Sequence, residues 1–176
     1  MPDTLHFTPI ATVVGGAPQP PPPPPGGGGG PHPPPHDYQG GVESIIRLHD
    51  EYPLETLLGI DEFSHLTVTW FFHLASPDDV QLHARSPRGD SRWPATGTFV
   101  HRNHRRPAQI ATSYPRLLRV AGRDLHVTDL DAVDGTPVID LAPWFAAMGP
   151  RGPITEPAWP SEMLTHYWDD AADRSH

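Results

Sequence analysis

The stretch 18–35 limits this chain more than any other feature, because it holds eleven of the 25 prolines and five of the 16 glycines. The proline run 20–25 favours polyproline II and the glycine run 26–30 a flexible coil, and neither can bury a core. What remains is roughly 140–150 residues of globular character, enough for one hydrophobic core and not two. The sequence therefore predicts a single domain over 1–148 carrying a disordered Pro/Gly-rich loop at 15–37. A C-terminal extension follows over 149–176. A proline run of this kind can also act as a ligand for a proline-recognising domain.

Outside the loop the hydrophobic pattern has period two. In 64–74 (SHLTVTWFFHL), Leu66, Val68, Trp70 and Phe72 fall on one face, and His65, Thr67, Thr69, Phe71 and His73 on the other. Alternation of that length describes a half-buried strand and not a helix. Shorter strands are expected at 6–14, 42–49, 80–84, 97–102, 117–120, 125–130 and 138–144, with Pro9 placing the first at an edge or a bulge. The AGRD of 121–124 reads as a hairpin turn. Residues 51–63, with Leu54, Leu57 and Leu58, read as a short helical turn. Residues 161–174 read as a helix with Ser161 as N-cap and Glu162 in its first turn. The fold class that follows is all-β: a small β-barrel or a curled antiparallel or mixed sheet, with a short helix and a C-terminal helix.

Several chemistries are excluded at once. There is no cysteine, hence no disulfide, thiolate metal site or cysteine nucleophile. The glycine clusters run into proline rather than a helix and no Lys-Ser/Thr follows, which removes a P-loop or Rossmann turn. There is no HExxH, and His101 and His104 lack further ligands at a metal-binding spacing, so no metal is expected. The first residues lack a basic start and a long apolar run, and no stretch could span a bilayer. A protein off the membrane and in the cytoplasm is expected. The net charge of −9, from 21 Asp+Glu against 12 Arg, opposes a nucleic-acid binder on average. The distribution is uneven, however: Arg102, Arg105 and Arg106 lie together beside His101 and His104. The modest apolar content of 36% points to a thin core or one completed by a second copy.

Three stretches carry chemistry. The first is Phe63-Ser64-His65-Leu66, leading to Phe72-His73. The second is GTFVHRNHRRPAQIATS at 97–113, and the third LDAVDGTPVIDLAP at 130–143. Singly, each has an ordinary reading as a polar histidine on a strand, a solvated turn, or aspartates that cap strands. In this order, with Pro143-Trp144 after the last, they resemble the TrmO/TsaA-like S-adenosylmethionine-dependent methyltransferases over about residues 5–144. That family has a Phe-Ser-His-Leu entry to a strand ending Phe-His. It also has a Gly-x-Phe-x-x-Arg segment running into Arg-Pro and Ile-x-x-Ser, and a Leu-Asp-x-x-Asp-Gly-Thr-Pro-Val-x-Asp block. The chain departs from it at 101–113, where the Ser-Pro, Asn-Pro and Gly positions differ, and at Leu141-Ala142, where a cation is missing.

The resemblance implies a homodimeric β-barrel that binds S-adenosylmethionine without a Rossmann domain. In the best-known members the methyl group goes to N6 of threonylcarbamoyl-adenosine beside the tRNA anticodon. Carried over by motif, the cofactor contacts fall on Gln39, Gly40, Gly41 and Val42, on His73 and Leu74, on Arg102 and Thr112, and on Leu130, Asp131, Ala132 and Val133. Arg105, Arg106 and Gln109 are the expected substrate contacts. Arg102 suits a carboxylate or phosphate, Asp131 a ribose or ammonium, and Leu130 and Val133 an adenine. Methyl transfer is an in-line displacement that asks mainly for positioning, with at most one base, for which His73 and Asp131 are the candidates. The acidic charge and the altered 101–113 segment keep two other readings open. These are a methyltransferase for a small-molecule acceptor, and a non-catalytic binding or dimerisation protein on the same scaffold.

Overall fold

A computed structural model describes residues 6–15, 42–165 and 167. Nearly all of the expected loop at 15–37 lies outside those residues, as do Gln39, Gly40 and Gly41. Seven strands form one antiparallel sheet: β1 Ala11–Val14, β2 Ser44–Leu48, β3 Leu66–Phe71, β4 Ile110–Ser113, β5 Arg116–Ala121, β6 Asp124–Thr128 and β7 Pro137–Pro143. Their order across the sheet is β4-β3-β7-β1-β2-β6-β5.

The alternation in β3 does what a half-buried strand must. Leu66, Val68 and Trp70 point into the core with Val13, Ile46, Leu125, Val127 and Val138, and the threonines between them point away. Trp70 keeps its indole N–H satisfied inside the core by donating to Ser113 Oγ at 3.0 Å, as a buried indole must. Because β3 lies between β4 and β7, Thr69 stands opposite both Thr112 and Asp140. The three stretches singled out in the sequence are therefore neighbours.

The sheet is curled but not closed, so the barrel alternative gives way to an open sheet. Its edges, β4 and β5, are consecutive in the chain. The β3–β4 ladder runs on past Ser113 for a single isolated bridge, His65 to Arg116, with Leu66 N–H donating to the Pro115 carbonyl at 3.0 Å. Leu117 N–H donates to the Ser64 carbonyl at 2.8 Å across the same bridge, and from Arg116 onward β5 is laddered to β6.

Other expectations change for local reasons. β1 is internal, between β7 and β2, and Pro9 precedes it rather than marking an edge. Segments 80–84 and 97–102 are not strands. They lie among 3-10 turns at Pro77–Asp79, Pro87–Gly89 and Thr98–Val100, and a strand needs a neighbouring edge. Among the described residues the loops holding them share one isolated bridge, Arg85 to Thr96, and no ladder. β4 emerges instead from a stretch that reads locally as a turn. The helical turn at 51–63 is two 3-10 turns, Leu54–Leu57 and Ile60–Glu62. The 121–124 hairpin is present, with Gly122 at φ 62°. Helix α1, Trp159–Leu164, starts before the expected cap. Ala158 occupies the N-cap, and Ser161 lies within the helix with its hydroxyl donating to Glu156 at 3.0 Å. Apart from Thr165 and Tyr167, the expected remainder of that helix lies outside the described residues. No described helix is long and apolar enough to cross a membrane.

Leu66 is 0% exposed and Leu58 is 89% exposed. Leu66→Ala should cost about 2–5 kcal/mol in urea denaturation, and Leu58→Ala no more than about 0.5 kcal/mol. Equal costs would contradict this core.

Candidate functional site

The site begins where β3 ends. Phe72 N–H donates to the Gln109 carbonyl at 2.9 Å, and His73 N–H turns back to Phe71 at 2.8 Å. The half-buried His73 is thereby laid against the Asp134-Gly135 turn. A Cβ at Gly135 would lie 3.6 Å from His73 Nε2, and Gly135 also holds φ at 78°, where a side chain is strained. Asp134 has the capping role that an Asp-Gly turn suggests, since its Oδ1 accepts from Gly15 N–H at 2.9 Å. The end of the first stretch thus touches the turn of the third.

Residues 130–133 lie outside any helix or strand and follow Asp129, which adopts φ 65°. Leu130 (3% exposed) and Ala132 (2%) enter the core, while Asp131 and Val133 face outward. The side chains of Leu130 and Ala132 are packed with the core, and Val133 is half-buried. Val42 and Leu74 are exposed apolar residues. Thr112 is half-buried and faces away from the core that Ala111 and Ser113 enter.

The second stretch places its arginines along β4. Arg102 Nη2 donates to the Thr112 carbonyl at 2.6 Å. Arg106 donates to the Ile110 carbonyl, and its buried Nε has no partner among the described residues. Arg105 reaches Gln81 Oε1 at 3.2 Å. Arg85 donates to the Gln81 carbonyl, to Thr98 Oγ1 and to Asn103 Oδ1 at 3.2–3.3 Å. Burial and then Arg105 push the Arg85 pKa down, and burial and then Arg102 do the same to Arg106. None of these four arginines forms an ion pair with a described residue; the pairs found use Arg47, Arg92, Arg119 and Arg123. In a chain of charge −9, four unneutralised guanidinium groups on adjoining loops make a local anion-attracting field.

Gln109, expected at the substrate, is buried instead, with φ 49° and its amide donating to the Ser76 carbonyl at 2.7 Å. Sequence reasoning missed Arg85 and Asn103. The available signal was density, since six of the 12 arginines fall within 85–106.

Asp131 joins the second and third stretches. The protein packed around its carboxyl pushes the pKa up, while the Tyr167 hydroxyl and the Arg102 charge pull it down. The residue keeps an exposed surface, so solvent tempers that rise. Arg102 and Asp131 are electrostatic neighbours without being in direct ion-pair contact. A guanidinium and a carboxylate so arranged can hold the two ends of a zwitterion. The hollow of about 410 Å³ beside Leu54, Leu58 and Val120, and the smaller one at Arg47 and Glu51, contain none of these residues. No cluster of three metal-ligating side chains occurs among the described residues.

Fold and site together define a small all-β domain whose binding groups come from strand ends and the loops beside them. The chain belongs to the tRNA-methyltransferase O N-terminal domain family, which matches residues 31–149. It is 32% identical over 94 residues to the tRNA (adenine(37)-N6)-methyltransferase of Mus musculus, covering 53% of this chain and 21% of that one. It is 36% identical over 103 residues to a "Probable S-adenosyl-L-methionine-binding protein" of Methanothermobacter thermautotrophicus, covering 58% and 70%. The crystal structure of TrmO from Pseudomonas aeruginosa shares the fold, with a TM-score of 0.59 at 18% identity over 88% of this chain and 61% of that one. The chain thus spans only about a fifth of the mouse enzyme.

If the Gln109 amide serves the fold, Gln109→Ala should cost about 0.5–1.5 kcal/mol of stability, because it removes a side-chain hydrogen bond to the Ser76 carbonyl, which keeps the Asp79 N–H as its other donor. Arg105→Ala at the surface should cost under about 0.5 kcal/mol. Thermal unfolding of both variants checks this, and a Gln109→Ala protein as stable as the wild type would contradict it.

Proposed function

We propose that the chain is an S-adenosylmethionine-dependent methyltransferase acting on N6 of a tRNA adenosine, the threonylcarbamoyl-adenosine beside the anticodon. The observation that carries this reading is that Arg102 and Asp131, from two separate stretches, are close enough for their charges to interact, with Arg102 held on the Thr112 carbonyl of β4. The residues present fit the cofactor. Arg102 suits its carboxylate, Asp131 its ammonium or ribose, Val133 and Leu74 offer apolar contact, and Gly135 permits close approach beside His73. When bound, the cofactor supplies an electrophilic methyl carbon on a sulfonium.

The chain's own task is then to hold and orient. His73 and Asp131 stand at the site as groups able to take a proton from the acceptor nitrogen. Arg85, Arg105 and Arg106 supply positive charge for nucleic-acid phosphates in an otherwise acidic protein. The printed names of the mouse and archaeal relatives support the same chemistry. The reading extends to a cytoplasmic enzyme and to pairing with a second copy. Exposed Phe99, Met148 and Ile154 favour such pairing. The net charge of −9 favours one second reading, transfer to a small-molecule acceptor.

The test is transfer of a labelled methyl group from S-adenosylmethionine to tRNA from a strain lacking this gene. Incorporation is expected. Arg102→Ala should lower cofactor affinity about tenfold or more, as the loss of a charge-assisted contact does, and Arg105→Ala much less. Labelling of small acceptors but never of tRNA would overturn the tRNA assignment, and no labelling at all would overturn the methyltransferase reading.

A further inference from the structure

We propose that α1 latches the loops between β3 and β4 into one cradle for RNA phosphate. Arg85 and Arg105 form the cradle, and Trp159 and Glu162 are its positioning residues. The proposal deepens the reading above and rests on tRNA being the methyl acceptor.

The two arginines share their acceptors. Arg85 Nη1 donates to the Gln81 carbonyl at 3.2 Å, and Arg105 Nη1 donates to Gln81 Oε1 at 3.2 Å. Asn103 Oδ1 accepts from Arg85 Nη2 at 3.3 Å and from Arg105 N–H at 3.2 Å. Gln81 N–H returns to the Arg105 carbonyl at 3.1 Å. Two guanidinium groups are thus drawn together on neutral oxygens. The acids nearby in sequence are engaged elsewhere: Asp79 Oδ2 accepts from Ser76 N–H at 2.8 Å, and Asp90 pairs with Arg92 at 2.6 Å. Like charges held together without a counter-ion repel, and Arg105 lowers the Arg85 pKa beyond what burial does. A phosphate relieves that repulsion, and its oxygens match the planar fork of a guanidinium. Arg105 is exposed and Arg85 half-buried.

No strand ladder holds the loops that carry them. Residues 72–109 contain 3-10 turns and the single bridge Arg85 to Thr96, whose two N–H to carbonyl distances are 3.0 and 2.9 Å. A connection that long keeps its shape through side-chain ties, and α1 supplies two. Trp159 is buried, and its ring centroid lies 6.4 Å from that of His101. His101 is itself buried and meets through Nε2 the Thr96 hydroxyl at 3.1 Å and the Thr96 carbonyl at 3.2 Å. Thr96 is the residue bridged to Arg85. The second tie is Trp93 Nε1, which donates to Glu162 Oε2 at 2.9 Å, with the Arg92 guanidinium 5.3 Å from the Trp93 ring centroid. A six-residue helix would not hold its place in water on its own propensity, so helix and loops fix one another. Arg102 is anchored separately, on the Thr112 carbonyl of β4. Helix α1 also lies beyond the residues that match the family, 31–149, so the latch is a feature of this chain's own extension.

The test uses the full chain with Trp159→Ala, and with Trp159→Phe as the conservative variant that keeps a ring against His101. Glu162→Ala, at an exposed hydrogen bond, decides the matter where Trp159→Ala fails to fold. Three quantities are measured: amide hydrogen exchange, affinity for unfractionated tRNA across NaCl concentration, and affinity for S-adenosylmethionine. In Trp159→Ala, exchange at the Arg85 and Thr96 amides should quicken about tenfold or more, while Val68 in β3 keeps its rate. Affinity for tRNA should fall about 5- to 30-fold, and its salt slope should shrink by about 1–2, as one or two phosphate contacts are lost. Cofactor affinity should stay within about twofold, because Arg102 keeps its own anchor. Trp159→Phe should restore most of both losses, and Glu162→Ala should move both the same way by less. Unchanged exchange at Arg85 and Thr96 would overturn the latch. A tRNA affinity that falls with an unaltered salt slope, or in step with cofactor affinity, would overturn the cradle. Quickened exchange in a protein that binds the cofactor but no tRNA would sustain the latch and sink the tRNA reading, so the two failures are distinguishable. Inorganic phosphate that then shifts the Arg85 and Arg105 Nε–H signals in NMR would replace RNA with a small phosphate as the occupant.

Discussion

The pairing of β3 with β4 on one side and β7 on the other is the contact on which everything else depends. Leu66, Val68 and Trp70 are anchored in the core, and that burial fixes which face each strand residue takes, since a one-residue slip would turn every side chain over. With β3 held in register, Thr69 sets the position of Thr112 and Asp140 at once. The loop that enters β4 brings Arg102, and the turn that enters β7 brings Asp131 and Gly135. Three stretches remote in sequence are gathered by one strand.

Charge acts on top of this frame. Most of the chain is acidic, and several acids are neutralised locally. Asp124 is paired by Arg47 across β2 and β6, and Glu43 is held below the usual carboxylate range by His126 and Arg119. The arginines around β4 are treated differently. They donate to carbonyls and amides, which orients them without cancelling their charge. The outcome is a protein that repels anions on average and attracts them beside one strand.

How much of this was legible in the sequence depends on whether a feature is local. The β3 alternation is a local pattern, and it gave the strand, its inward face and its central place in the core. β4 has only four residues, and its pairing is dictated by β3, so nothing within Ile110–Ser113 announces it. The 80–84 segment has acceptable strand residues but no edge to join. Whether the sheet closes depends on how far the chain after β4 stays beside β3, which is set by the tertiary arrangement and not by a local pattern. At the site, the motifs name Arg102 and Asp131, and the fold brings the strands they precede to either side of β3. Burial is not written in a motif, so nothing local shows that Leu130 lies within the core or that the buried Gln109 amide donates to the Ser76 carbonyl.

The central claim is that these gathered stretches form one binding surface for S-adenosylmethionine. Backbone amide NMR of the full chain during titration with the cofactor tests it most directly. Shift changes should concentrate at His73, Leu74, Arg102, Thr112 and the 130–135 segment. Changes concentrated instead around Leu54, Leu58 and Val120, at the hollow beside the β5–β6 hairpin, would contradict it.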